Sequence, residues 1–362
     1  MRPTRRRNRI LTLKAAATVA MVGLAGPALA CGGVFSTNGE VNLTRTTTLA
    51  AYADGVEHYV TAFEFAGAGG AFGSIVPLPG VPTSVEEGGE WTLQRLVKEV
   101  TPVQTRSANL ELAQSARGDS AEVLLETRVG ALDLTVLRGG SDAVGDWAIE
   151  NGFLLSPDAP EVLDFYAQRS EIFLAARFDA AAVVDKGVNV GDGTPVHITI
   201  PTDNPWVPLR ILGLGRVEGE RIDADVFVLT EIKPTLLAGR DSAGVVLDRQ
   251  ELASESLLAD LRTDKGMDWL PQSMWLSYLK VAAAPSELTY DLAIDASGAG
   301  QPSHEAAGLL GADPDETDGG LLGPAAATDE ESGSGRTVAL VGIGTLVLLG
   351  VAGGVAFAYR RR

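Results

Sequence analysis

Val41-Asn-Leu-Thr-Arg-Thr-Thr-Thr-Leu-Ala-Ala-Tyr52 and Val56-Glu-His-Tyr-Val-Thr-Ala-Phe-Glu-Phe65 are two β-branched and aromatic runs, and Asp54-Gly55 stands between them. Asp-Gly at that place predicts a two-residue hairpin, because both positions tolerate the positive φ that matches the twist of the flanking strands. The fold therefore begins as antiparallel sheet. The glycine-rich Gly67 to Gly73 turns into Ser74-Ile-Val-Pro77, after which Pro77, Pro79 and Pro82 remove ladder donors. Those glycines lack the spacing and the following helix of a phosphate cradle and read as a turn.

Downstream, Glu90 to Glu99 has helical spacing through Trp91, Leu93, Leu96 and Val97, stopped by Thr101-Pro102. Arg106 to Asp119 reads as a polar loop. Glu122 to Val129 and Ala131 to Leu137 predict a second pair of strands, Ser141 and Ser156-Pro157 open two helices, and Glu171 to Phe178 resumes strand. Val196 to Pro201, Pro208 to Leu214 and Ile222 to Glu231 read as three more strands, and Asp241 to Arg262 as a charged, partly helical insertion. Trp269 to Leu279 presents one apolar face, and Leu288, Tyr290, Leu292 and Ile294 alternate with polar or small residues as a half-buried last strand. The class expected is α+β: largely antiparallel sheet with a few packed helices, over residues 31–295.

The two ends carry a different message. Arg2, Arg5, Arg6, Arg7, Arg9 and Lys14 precede the apolar Ala15 to Leu24, and Ala28-Leu29-Ala30 is a small-x-small cleavage site, so residues 1–30 read as a secretory signal. Residues 296–336 are Ala, Gly, Pro, Ser, Asp and Glu with few residues able to bury surface, and read as a disordered spacer. Thr337 to Tyr359 is uncharged, long enough as a helix of roughly 34 Å to cross a bilayer, and is followed by Arg360, Arg361 and Arg362 as a cytoplasmic basic tail. The expected location is the bacterial plasma membrane, single-pass, with the domain outside. No Leu-Pro-x-Thr-Gly precedes Thr337, which favours an anchor over a sorting tail, and Gly350 and Gly354 offer a weak homodimer contact.

The chain has 362 residues, with 29 basic and 47 acidic ones and a net charge of -18. Without the six basic residues of the signal and the three terminal arginines, 20 basic residues face 47 acidic ones, about -27. Such a surface repels nucleic acid and anionic headgroups. Cys31 is the single cysteine, so no internal disulfide forms. Placed first after cleavage, it is a candidate lipidation site, a weak candidate amino-terminal nucleophile, or a plain free thiol.

His58, His197 and His304 lie far apart, the first two in strands where a solvent-facing side chain is the default, and this argues against a zinc site. Asp185, Asn189 and Asp192 imitate a calcium loop, but Gly187 occupies a ligand position and the closing glutamate is missing. No Gly-x-Ser-x-Gly, Ser-x-x-Lys or His-Glu-x-x-His occurs. No metal and no cofactor is expected.

Several short motifs in a fixed order carry a resemblance: Cys31-Gly32-Gly33-Val-Phe35, Ile75-Val-Pro77-Leu-Pro79, Asp146-Trp147-Ala-Ile-Glu-Asn151-Gly152-Phe153, Tyr166 through Phe173, Asn204-Pro-Trp-Val-Pro208-Leu-Arg210, and Asp223 to Leu229. Together, over about Cys31 to Pro234, they resemble domain of unknown function 2330, an uncharacterised bacterial family. The resemblance implies an exported protein with Cys-Gly-Gly after its signal and often a membrane tail, and it implies no activity. A second cysteine often seen in that family is replaced here in the neighbourhood of Ser36, which weakens any paired-cysteine role. Trp147, Phe153, Tyr166 and Phe173 have the size to lock helices onto a sheet, and Arg210 suits an ion pair with a buried carboxylate or, as the lesser alternative, an anionic ligand. Two readings of function follow. One is an acidic envelope domain displayed for binding or structural work; the other is an envelope hydrolase using Cys31.

Overall fold

The computed structural model describes residues 33–36, 46–62, 72–101, 122–130, 132–178, 195–217, 219–239, 244–309 and 321–323. The chain divides into two units, Met1–Ala325 and Ala326–Arg362, and every described residue belongs to the first. The expected signal, the membrane segment 337–359, Cys31, Gly350, Gly354 and the 185–192 loop lie outside the described residues. Among the described residues no helix is long and apolar enough to cross a membrane.

The first elements are β1 (Gly33–Ser36), β2 (Thr46–Ala53), β3 (Val56–Ala62), β4 (Phe72–Pro77), β5 (Ser84–Glu87) and α1 (Thr92–Val100). Next come β6 (Glu122–Val129), β7 (Leu132–Arg138), α2 (Ser141–Glu150), α3 (Ala159–Ala167), β8 (Ile172–Phe178), β9 (Pro195–Pro201) and β10 (Trp206–Val207). The last are β11 (Ile222–Thr230), β12 (Thr235–Leu237), β13 (Val245–Leu252), α4 (Glu255–Leu261), β14 (Trp275–Ala283) and β15 (Leu292–Asp295). The opening hairpin forms as its sequence demands: Asp54 and Gly55 have φ of 51° and 78°, and Ala53 pairs with Val56 across the turn.

Three sheets result. The largest has the order β13-β14-β11-β2-β3-β9-β5, the second β1-β4-β8-β7-β6, and a small third β10-β15-β12. All neighbours are antiparallel except β2 and β11. A first core joins the inner faces of the two large sheets, through Ala50, Tyr59, Ile198 and Val226 from one and Val76, Leu134, Val136 and Leu174 from the other. A second core sets Ile75, Phe173 and Ala175 of the second sheet against α2 and α3. A third sets Leu49, Val60, Phe227 and Leu276 of the largest sheet against α1 and α4. The layers are helix, sheet, sheet, helix. Each fully buried Leu, Ile or Phe in them contributes about 1.5–3 kcal/mol, and two-sided burial explains why β2 and β11 are buried along nearly their whole length.

The α+β class and the mainly antiparallel pairing match expectation, and three local expectations are corrected. Residues 208–214 are no strand: after β10, Arg210–Gly213 form a 3-10 turn, because the side chains of Asp291 and Tyr166 accept the backbone N–H groups that a ladder would have used. The 241–262 insertion contains a full strand, β13, at the sheet edge before its helix. The segment 296–309, expected as spacer, packs on the domain: Ala307 is fully buried, its carbonyl accepts the Asp291 N–H at 3.0 Å, and Gly308 (φ 74°) lies where a Cβ would collide with Phe165. Small residues close this contact by letting backbones approach.

Candidate functional site

On the outer face of the largest sheet, near its β5 edge, the strand pairing β3–β9 sets His58 opposite Thr199 and His197 opposite Val60. The two imidazoles thus sit on one face at diagonal positions, a distance that long side chains bridge. His58 Nδ1 and His197 Nε2 are 2.9 Å apart, one donating to the other. The loop after α4 covers them. The Trp269 ring stacks on His58 with centroids 3.5 Å apart and planes 10° from parallel. Gly266 (φ 77°) backs onto His197 so closely that a Cβ there would lie 2.9 Å from Nδ1.

That loop is itself pinned. Trp91 at the start of α1 provides no side-chain cap, and Asp264 supplies one from across the sequence. Its Oδ2 accepts from the N–H of Trp91 (3.1 Å), the N–H of Thr92 (2.7 Å) and the Thr92 hydroxyl (2.7 Å). A carboxylate there satisfies the orphan donors of the first turn and faces the positive end of the helix dipole. Gly89 has no Cβ because Asp264 occupies that space. Lys265 then pairs with Glu87 of β5 at 3.4 Å, joining loop to sheet edge.

Burial, and then the neighbouring imidazole, push His58 down to about 4. Burial lowers His197 as well, opposed by the charge of Glu86, its register partner on β5. Both rings are therefore neutral at pH 7, the form that ligates metals and passes protons. Trp269 Nε1–H is buried without a hydrogen-bond partner among the described residues.

A second polar cluster stands across the molecule, and it is closed. Asp291 is 0% exposed. Its Oδ1 accepts from the Tyr166 hydroxyl (2.9 Å) and from the N–H groups of Leu209 (2.6 Å) and Arg210 (2.9 Å), and its Oδ2 from Arg169 (2.5 Å). Tyr166 in turn accepts from the Ile211 N–H at 2.9 Å. Burial, then the Asp291 charge, holds the Tyr166 phenol well above its ordinary range, so it stays a donor. The Arg169 guanidinium lies over Phe165, Tyr166 and Trp206, 4.3, 5.0 and 4.8 Å from the ring centroids. Arg210 itself pairs through its side chain with the exposed Glu161, so the buried carboxylate foreseen for it is met by Arg169 and by the Arg210 backbone instead.

A third buried acid stands alone. Glu57 on β3 is 0% exposed. Its Oε2 accepts from the Trp206 N–H at 3.3 Å, and its Oε1 has no partner among the described residues. Burial, only partly opposed by that hydrogen bond, pushes it up to about 8. It is a neutral acid at pH 7.

Of the residues singled out in the sequence, His58 and His197 come together, contrary to the expectation that they face solvent separately. Their approach depends on strand pairing across 139 residues, and no local spacing announces it. His304 is not near them in the hydrogen-bonded set; it lies in the turn at 304–308. Among the described residues no group of three or more His, Cys, Asp or Glu is arranged to hold a metal. Trp269 was legible only as an apolar residue, and Asp264, Glu57 and Asp291 carried no signal of their placement.

Fold and clusters define the class first: a four-layer α+β protein, sealed on one side by an Asp291-centred network and bearing a neutral histidine pair on the other. The sequence model of an uncharacterised protein family conserved in bacteria, domain of unknown function 2330, matches residues 25–245, and the chain belongs to that family. No curated protein matches it. Among solved structures, the chain is similar to the crystal structure of baculovirus P35 at 9% identity, with a TM-score of 0.37 over 62% of this chain and 79% of that one. A mutated baculovirus P35 after caspase cleavage gives 6% identity and a TM-score of 0.31, over 57% and 75%. Likeness at this level carries no argument.

Proposed function

We propose that this is an exported, membrane-tethered protein of the bacterial envelope whose acidic domain works by binding or scaffolding and not by catalysis. The observation that carries this reading is where the motif residues go. Tyr166, Arg169, Trp206 and Arg210, from two of the segments that carry the family resemblance, converge on Asp291, and Tyr166 and Asp291 are both 0% exposed. The Asp291 carboxylate and the Tyr166 hydroxyl there are engaged by each other, by Arg169 and by backbone N–H groups. Charge supports the same reading: a surface of about -27 disfavours nucleic acid and anionic lipid as partners. The signal-like residues 1–30 and the apolar 337–359 supply the export and the tether.

The test uses the full chain with one epitope tag inserted just after residue 31 and another at the C-terminus, expressed in a bacterium. The expected result is recovery of both tags in the membrane fraction, with external protease on spheroplasts removing the first tag and sparing the second. Cross-linking of intact cells is then expected to recover the same envelope component repeatedly. Recovery of the chain in the soluble cytoplasm contradicts export, and loss of the C-terminal tag alone marks the tail as a processing signal.

A further inference from the structure

We infer that His58 and His197 form a binding site for one divalent transition ion of the imidazole-preferring kind, Cu(II) foremost and Zn(II) or Ni(II) less tightly. The inference is independent of the envelope reading. Its basis is geometric. Two metal–imidazole bonds of about 2.0–2.1 Å meeting at 90–109° hold their nitrogens roughly 2.9–3.4 Å apart. His58 Nδ1 and His197 Nε2 already stand 2.9 Å apart. An ion bound by both sits off the line that joins them, so as it displaces the shared hydrogen each ring turns its lone pair from its partner toward the ion. The ring that now donates passes its proton to its other nitrogen, so both rings stay neutral and no net proton is released.

The surroundings hold the rings ready. Trp269 stacked on His58 fixes that ring's plane, and Gly266 against His197 Nδ1 leaves Nε2 turned to its partner. The covering loop is anchored by two adjacent residues, Asp264 to α1 and Lys265 to β5. Glu86, in register with His197 and exposed, adds a negative charge at the rim. Two imidazoles give a site weaker than a four-ligand structural centre, and Cu(II) leads because it heads the divalent series for nitrogen ligands.

The test is titration of the full-length, detergent-solubilised chain with Cu(II), read by tryptophan fluorescence and by electron paramagnetic resonance. One equivalent of Cu(II) is expected to quench the Trp269 contribution, and the resonance to carry the hyperfine pattern of two imidazole nitrogens. Trp269→Phe removes that quenching. His58→Gln and His197→Gln each weaken binding at least tenfold, whereas His304→Gln leaves it unchanged. Binding that survives both substitutions, or a wild-type resonance with one imidazole or none, overturns the inference. Should either glutamine variant fail to fold by circular dichroism, the imidazole count in the wild-type resonance decides alone.

Discussion

The Asp291 network and the histidine pair are both polar clusters taken out of water, and they solve the problem in opposite ways. Asp291 keeps its charge, and four donors from α3, the following turn and the 209–210 backbone surround it. His58 and His197 give their charge up and need only one hydrogen bond between them. A buried ion is tolerable only when every lone pair is filled, so the first cluster must be closed; a neutral pair is cheap enough to stay at the rim. Closure and charge make the first a lock, and neutrality leaves the second able to ligate.

The sharpest way to break this contrast is to remove the cation from the lock. Arg169→Met leaves the buried Asp291 without its counter-charge, and is expected to cost about 3–5 kcal/mol in urea unfolding, while Cu(II) binding by whatever remains folded persists. A cost below about 1 kcal/mol would mean the network is ornamental.

Glu57 sharpens the comparison from the other side, because it is a buried acid without a lock. Its folded value is raised to about 8, so the unfolded chain ionises first as pH rises. Its stabilising contribution is complete below about 4.5 and is lost progressively up to about 8. Thermal or urea unfolding at pH 9 against pH 5 is expected to show a loss on the order of 2–4 kcal/mol, and Glu57→Gln to abolish most of it. An unchanged pH profile in the variant refutes the assignment.

The histidines titrate the opposite way. Their folded values are depressed, so the stability they contribute is present above the ordinary value of 6.5 and is lost as pH falls toward 4. Since His58 is partly exposed, the acid loss is expected to be only about 1 kcal/mol after screening, and to be absent from the His58→Gln, His197→Gln double variant. Smallest of all, Glu161→Ala removes the solvent-facing partner of Arg210 and is expected to cost under about 0.5 kcal/mol, although Arg210 belongs to the same motif as the lock.

What the sequence disclosed divides along the same line. The Asp54-Gly55 hairpin, the paired β6 and β7 strands and the α1 to α3 helices were legible because turn chemistry and periodicity act over a few residues. Asp291 was read as one member of an alternating, half-buried strand, yet it is sealed, because α3 and the 206–214 segment cover the face that alternation assigns to water. The small, polar 296–309 segment was read as spacer by composition alone. Alanines and a glycine fit it against Phe165 and Arg169, a mode of packing that hydrophobicity does not register. His58 and His197 could meet only through the β3–β9 pairing, which the sequence does not specify locally.

The most direct test of the lock is amide hydrogen exchange at Leu209, Arg210 and Ile211, three N–H groups that are held by the side chains of Asp291 and Tyr166. If the motif is a closed structural network, these amides exchange only with global unfolding, as slowly as the core of β11. Exchange at the rate of an exposed turn would contradict it, and would mean that the family's motif faces an open site.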